Sequence, residues 1–127
     1  MKIIHGQEVD YIPASHESFE SPGVLKKILL RKDDCMDGRV QMVNWALLPG
    51  GKAFQAHYHE DMQEIFIIMS GRAKIAVAAE EEFLEAGDTV VVPAGSVHRM
   101  ENTGCDDVAY IVIGISSGQG GRTIVTE

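Results

Sequence analysis

The chain has 127 residues, 45% of them hydrophobic, and a net charge of −8 with a pI near 5.0. That length suits one domain burying roughly two thirds of its extended surface, and the apolar share argues against a disordered chain. The acidity argues against nucleic acid and anionic membrane surfaces as partners, because both are held by Lys and Arg; it is read as keeping a cytoplasmic protein in solution.

No apolar run approaches the length needed to span a bilayer, and Met1-Lys2-Ile3-Ile4-His5-Gly6 lacks the apolar core of a signal peptide. Cytoplasm is therefore the expected compartment. Cys35 and Cys105 have no CxxC partner, so free thiols are expected rather than a thiolate zinc site.

Residues 1–23 contain Pro13, Pro22 and Gly23, with short extended pieces around Ile3-Ile4 and Val9-Asp10-Tyr11-Ile12 that suit edge strands. His5 and His16 lie here without strand spacing and are read as solvated loop histidines. A strand is predicted from Val24 to Arg31, then a loop through Lys32-Asp33-Asp34 and Cys35-Met36-Asp37-Gly38. Val40 to Leu48 forms a second strand, stopped by Pro49-Gly50-Gly51; both of its faces are mostly apolar, so parity does not say which looks inward.

Phe54 to His59 follows, where alternation puts Gln55 on the face of His57 and His59 and turns Phe54 and Tyr58 away. In the strand from Glu64 to Met69, Phe66 and Ile68 share the Glu64 face. Ser70-Gly71-Arg72 reverses the chain into Ala73 to Ala79, and a hairpin around Glu80-Glu81-Glu82 leads on to Gly87-Asp88. Thr89 to Val92 is stopped by Pro93-Ala94-Gly95; Val97 to Glu101 carries His98; Asn102-Thr103-Gly104 turns into a long strand from Val108 to Ile115. Residues 116–121 have the composition of a flexible linker, and Thr123 to Val125 can pair at an edge. Short, evenly spaced strands with Gly and Pro turns and no 3.6-residue period predict an all-β antiparallel sandwich or barrel.

The chemistry is concentrated in two stretches. From Gly51 the spacing is five residues to His57, one to His59, four to Glu64 and six to Gly71. From Gly87 it is five residues to Pro93, one to Gly95, two to His98 and three to Asn102. Two imidazoles two residues apart on a strand converge on one point, and Glu64 can return to it if the chain turns. Such nitrogen and oxygen donors suit a divalent first-row transition metal.

These stretches resemble the two motifs of the cupin superfamily, and every specified position is met. The resemblance covers the central half of the chain. It implies an antiparallel jelly-roll β-barrel, a single cupin domain over 1–127 with its metal motifs at 51–71 and 87–102, and a homodimer formed through N-terminal strands. It also implies that His57, His59, Glu64 and His98 hold one divalent transition ion per chain, with iron, manganese, zinc and nickel as candidates in that order. The bland alternative is a cupin that has lost its metal, but a decayed site would usually lack a ligand. Four donors leave a position open for substrate, as in catalytic rather than closed structural sites.

Gln55, Phe66, Ile68, Met100 and Tyr110 are the candidates to line the pocket: Gln55 and Met100 by strand parity, Tyr110 because the family's last inward strand passes the metal. That pocket would be mainly apolar. No Arg or Lys falls on the inner positions of the two motif strands, Arg99 having the wrong parity, so a phosphorylated sugar would lack an anchor. The expectation is a metal-dependent enzyme on a small molecule, either a dioxygenase or an isomerase, lyase or decarboxylase. The alternative is a non-catalytic, metal-centred ligand-binding module.

Overall fold

The computed structural model describes residues 2–116 and 122–126. Within them the strands are β1 (Ile12–Pro13), β2 (Leu25–Arg31), β3 (Val40–Leu48), β4 (His57–His59), β5 (Met62–Ser70), β6 (Arg72–Val77), β7 (Glu80–Glu85), β8 (Thr89–Val92), β9 (His98–Glu101), β10 (Val108–Ser116) and β11 (Thr123–Val125). They form two antiparallel sheets, one ordered β1-β2-β3-β10-β5-β8 and the other β11-β4-β9-β6-β7. This is the jelly-roll arrangement expected from the strand pattern.

Alternation sets what each strand buries. On β5 Met62, Glu64, Phe66 and Ile68 point inward while Gln63, Ile65, Ile67 and Met69 do not. β3 and β5 flank β10, which aligns their inward residues in rows: Ala46, Tyr110 and Ile68 in one, Asn44, Val112 and Phe66 in the next, Met42, Gly114 and Glu64 in a third. The row order separates two ends of the interior. Around Ile68 lie Leu48, Met100 and Val108, each fully buried in the apolar core. Toward Glu64 the interior becomes polar. The inward face of β3, which its own sequence left open, is thus the one carrying Asn44, Ala46 and Leu48.

Several local expectations shift. In place of a strand from Val9 there is a 3-10 turn at Gly6–Glu8 and a two-residue strand at Ile12–Pro13. The 32–38 loop winds into two 3-10 turns, Lys32–Asp34 and Met36–Gly38. The first ligand strand starts only at His57, preceded by one isolated bridge between Ala53 and Glu101. The β6–β7 turn falls at Ala78-Ala79 rather than at the three glutamates, which are exposed strand residues. Pairing the buried Ala73 with Leu84 fixes that register, and the two-residue loop forces Ala78 to φ 52°, where glycine is favoured.

Asn102 fixes its turn as expected: Nδ2 donates to the carbonyls of Leu48 (3.0 Å) and Asp106 (2.7 Å), and Oδ1 accepts from Gly104 N (3.0 Å). Cys35 and Cys105 are free thiols. The linker-like composition at 117–121 lies outside the described residues. No helix among the described residues is long and apolar enough to cross a membrane.

Candidate metal centre and its cavity

β4 supplies His57 and His59, β5 supplies Glu64 and β9 supplies His98, which sits opposite His57 in the strand pairing. All four are buried, and their donor atoms lie within 4.8 Å of one another. Glu64 Oε1 is 2.8 Å from His59 Nε2 and 3.0 Å from His98 Nε2. Both separations are short enough for the paired donors to share one ion at the usual ligand distance of about 2.1 Å.

The outer ring nitrogens point the same way. His57 Nδ1 donates to the Gln55 carbonyl (2.6 Å) and His98 Nδ1 donates to the Ser96 carbonyl (3.0 Å), while His59 Nδ1 meets the Thr123 hydroxyl at 2.9 Å. A carbonyl can only accept, so His57 and His98 carry their proton on Nδ1 and, when neutral, present a bare lone pair at Nε2. In that tautomer a lone pair of His98 faces a carboxylate oxygen at 3.0 Å, an arrangement that a cation between them reconciles. The residues therefore fit a divalent ion.

Protonation favours the same state. Burial lowers His57 to a pKa of about 3, helped by His16 and opposed by its bond to Gln55. Burial alone would raise Glu64, but the His59 and His98 rings beside it, wherever they carry a proton toward it, outweigh burial and hold the carboxyl at about 2. At neutral pH both are in the form that ligates a metal.

A cavity of about 270 Å³ opens on this cluster. Of the five expected lining residues, Phe66 and Tyr110 line it, with their rings 5.4 Å apart. Burial pushes the Tyr110 phenol far up, so it stays a neutral group able to donate. Three expectations are corrected. Gln55 is half-buried and outside the cavity, because residues 54–56 are not in a strand and alternation does not apply to them; Phe54 turns inward instead, 2% exposed, against His57 and Phe66. Ile68 and Met100 share faces with the ligands but lie deeper, packed into the apolar core and away from the cavity.

Two residues absent from the expected site belong to it. His16 is no solvated loop residue: its side chain is 13% exposed, stacks on His57 at 3.9 Å and donates from Nδ1 to Glu17 Oε2 (3.1 Å). Burial lowers its pKa against the pull of Glu17. Lys26, opposite Ala46 in the β2–β3 pairing, also faces in, and burial lowers its pKa below the ordinary lysine value. The pocket is thus less apolar than expected and does hold a cation. The adjacent His16-Glu17 pair was the only hint in the sequence; nothing local marked Lys26, because β2 belongs to neither motif.

Residues 43–114 match the cupin domain family. The chain is 36% identical over 81 residues to the mannose-1-phosphate guanylyltransferase of Salmonella montevideo, covering 63% of this chain and 16% of that enzyme. It is 35% identical over 72 residues to the quercetin 2,3-dioxygenase of Bacillus subtilis, covering 54% of this chain and 21% of that one. The chain thus spans about a fifth or less of either relative. A solved structure described as a predicted oxalate decarboxylase from Thermotoga maritima superposes with a TM-score of 0.80 at 25% identity, over 91% of this chain and 99% of that one. The family match runs through the strands that carry all four donors, and the chain belongs to the cupin family.

Proposed function

We propose that the protein is a metal-dependent enzyme acting on a small molecule, with His57, His59, Glu64 and His98 as the ligands of one divalent ion. The observation that carries this is the position of the four donors: they lie within 4.8 Å of one another, and His57, His59 and Glu64 line an open cavity. Iron, manganese, zinc and nickel all suit three imidazoles and a carboxylate. When bound, the ion supplies Lewis-acid polarisation of a substrate oxygen.

The chain's own groups do the rest. The Gln55 and Ser96 carbonyls hold His57 and His98 in the tautomer that ligates. Phe54 packs edge-on and Phe66 tilted against His98, and both keep water from the inner side. Tyr110 offers a neutral hydroxyl to substrate from the facing sheet.

Two reaction classes fit this cavity: oxygen-dependent cleavage, supported by similarity to a quercetin dioxygenase, and decarboxylation, supported by likeness to a predicted oxalate decarboxylase. At about 270 Å³ the cavity lies at the low end of ligand pockets, typically about 300–1,000 Å³, which favours a small acid or diketone over a tricyclic flavonol. A homodimer and a cytoplasmic location belong to the same proposal, and light scattering tests the first.

The deciding experiment is elemental analysis of protein purified from its native host without chelator or added metal. It is followed by oxygen-uptake and carbon-dioxide-release assays on small acids, catechols and diketones. About one ion per chain with turnover supports the proposal. Metal without turnover points to a non-catalytic binding module, and no metal in a folded protein refutes the site.

A further inference from the structure

The cavity holds two polar side chains that none of these roles uses. Lys26 on β2 and Asn44 on β3 face it from the sheet opposite the one that carries His57, His59 and His98. Lys26 is half-buried and makes no ion pair among the described residues. Asn44 is 5% exposed, and its Oδ1 is buried with no hydrogen-bond partner among the described residues. A buried amide oxygen left unpaired is costly, and native structures keep few of them.

We propose that Lys26 and Asn44 form the substrate-anchoring wall of the cavity and select a small hydroxycarboxylate, Lys26 holding the carboxylate and Asn44 the hydroxyl. This rests on the reading of the cavity as a metal-dependent small-molecule site. The charge balance favours an anion: a divalent ion on one carboxylate and neutral imidazoles leaves one positive charge, and Lys26 adds a second. The carboxylate of Glu17, held by His16 and three backbone N–H groups, offsets one of these charges and leaves the cavity net positive. Desolvation of Lys26 disfavours its charged form, and a carboxylate bound beside it restores that form. A hydroxyl suits Asn44 because it both donates and accepts, so it pairs with the amide whichever way that group is turned. The apolar Phe66 and Val112, neighbours of Asn44 in its row, give the carbon skeleton an apolar surface beside that amide.

The test is calorimetric titration of chelated protein reloaded with Zn(II), a redox-silent ion, using lactate and malate, their deoxy counterparts propionate and succinate, and 1,2-propanediol. Metal content comes first: failure to take up Zn(II) refutes the proposed function itself. With the ion in place, the hydroxy acids should bind more tightly than the deoxy acids, and the diol most weakly. Lys26→Gln should weaken both acid classes roughly 10- to 100-fold. Asn44→Leu should weaken only the hydroxy acids, roughly 3- to 10-fold, erasing the preference. If Asn44→Leu does not fold, Asn44→Ala reads the same difference. A diol that binds as well as the acids, no acid binding at all, or a Lys26→Gln variant with unchanged affinity overturns the assignment while leaving the metal site standing.

Discussion

Glu17 is the residue whose removal should say most about how the site is built. Its side chain is 2% exposed, and both oxygens are occupied: Oε1 accepts from Gly23 N (2.6 Å) and Val24 N (3.2 Å), and Oε2 accepts from Gln55 N (3.0 Å) and His16 Nδ1 (3.1 Å). One carboxylate thus ties the start of β2, the approach to β4 and the imidazole stacked on His57. Hydrogen bonds to charged groups contribute about 1.5–3 kcal/mol each, but the freed N–H groups of an N-terminal segment regain water, so the four do not sum. Glu17→Ala is expected to cost about 3–6 kcal/mol, the worth of roughly two such bonds. Glu17→Gln keeps one acceptor but points an amide NH₂ at two of the donors, and should cost about 1–3 kcal/mol.

Gly23→Ala breaks the same tie from the other side, because a Cβ there would stand 1.9 Å from the Ala53 carbonyl oxygen. Since both changes undo one contact region, the double variant should lose less than the sum of the singles. The assay is urea unfolding of chelated protein, extrapolated to water. A Glu17→Ala variant within about 1 kcal/mol of wild type, or strictly additive losses, would refute the reasoning.

Further outcomes follow from the same geometry. His59→Ala should abolish most metal affinity while the two sheets stay folded; full metal occupancy by atomic absorption would sink the ligand assignment. Metal-free protein should lose stability in acid: the unfolded chain takes up a proton at His57 near its ordinary value of 6.5, whereas the folded chain resists until about 3. The unfolded state binds more protons across that window, so unfolding free energy falls with pH by up to about 1.4 kcal/mol per unit. Below 4.5 Glu64 adds to the fall with the same sign, since its folded pKa is about 2. Thermal melts of chelated protein between pH 8 and pH 4 check this, and a flat profile contradicts it. Ala78→Gly should raise stability by about 1 kcal/mol, because alanine at φ 52° carries a strain that glycine lacks; a lower melting temperature counts against it.

The four clustered donors were legible because their spacing obeys local geometry: His57 and His59 alternate onto one face within β4, and Glu64 and His98 sit at motif positions tied to turns at Gly71 and Gly95. Most strands from β2 onward followed from apolar runs between Gly and Pro, β7 excepted because its three glutamates read as a turn, and Asn102 was readable as a turn residue because it bonds its own loop. Where the chain is irregular, alternation misleads. Gln55 and Phe54 exchanged sides because no strand pairing constrains residues 54–56 apart from the bridge at Ala53. Ile68 and Met100 had the right face but the wrong depth, and depth along a strand depends on which residues of the neighbouring strands lie beside it.

By itself, then, the sequence determined the all-β antiparallel class and the four donors, because both rest on periods of two and on turns a few residues long. Only the tertiary structure decided which face of β3 looks inward, that Lys26 and Asn44 line the cavity, and that His16 packs on His57. Each of these depends on contacts between segments far apart in the chain: β3 with β10, β2 with β3, and an N-terminal loop pinned by Glu17 to residues 23 and 55. Such pairings are set by packing and buried hydrogen bonds across the whole interior, which no local pattern of residues encodes.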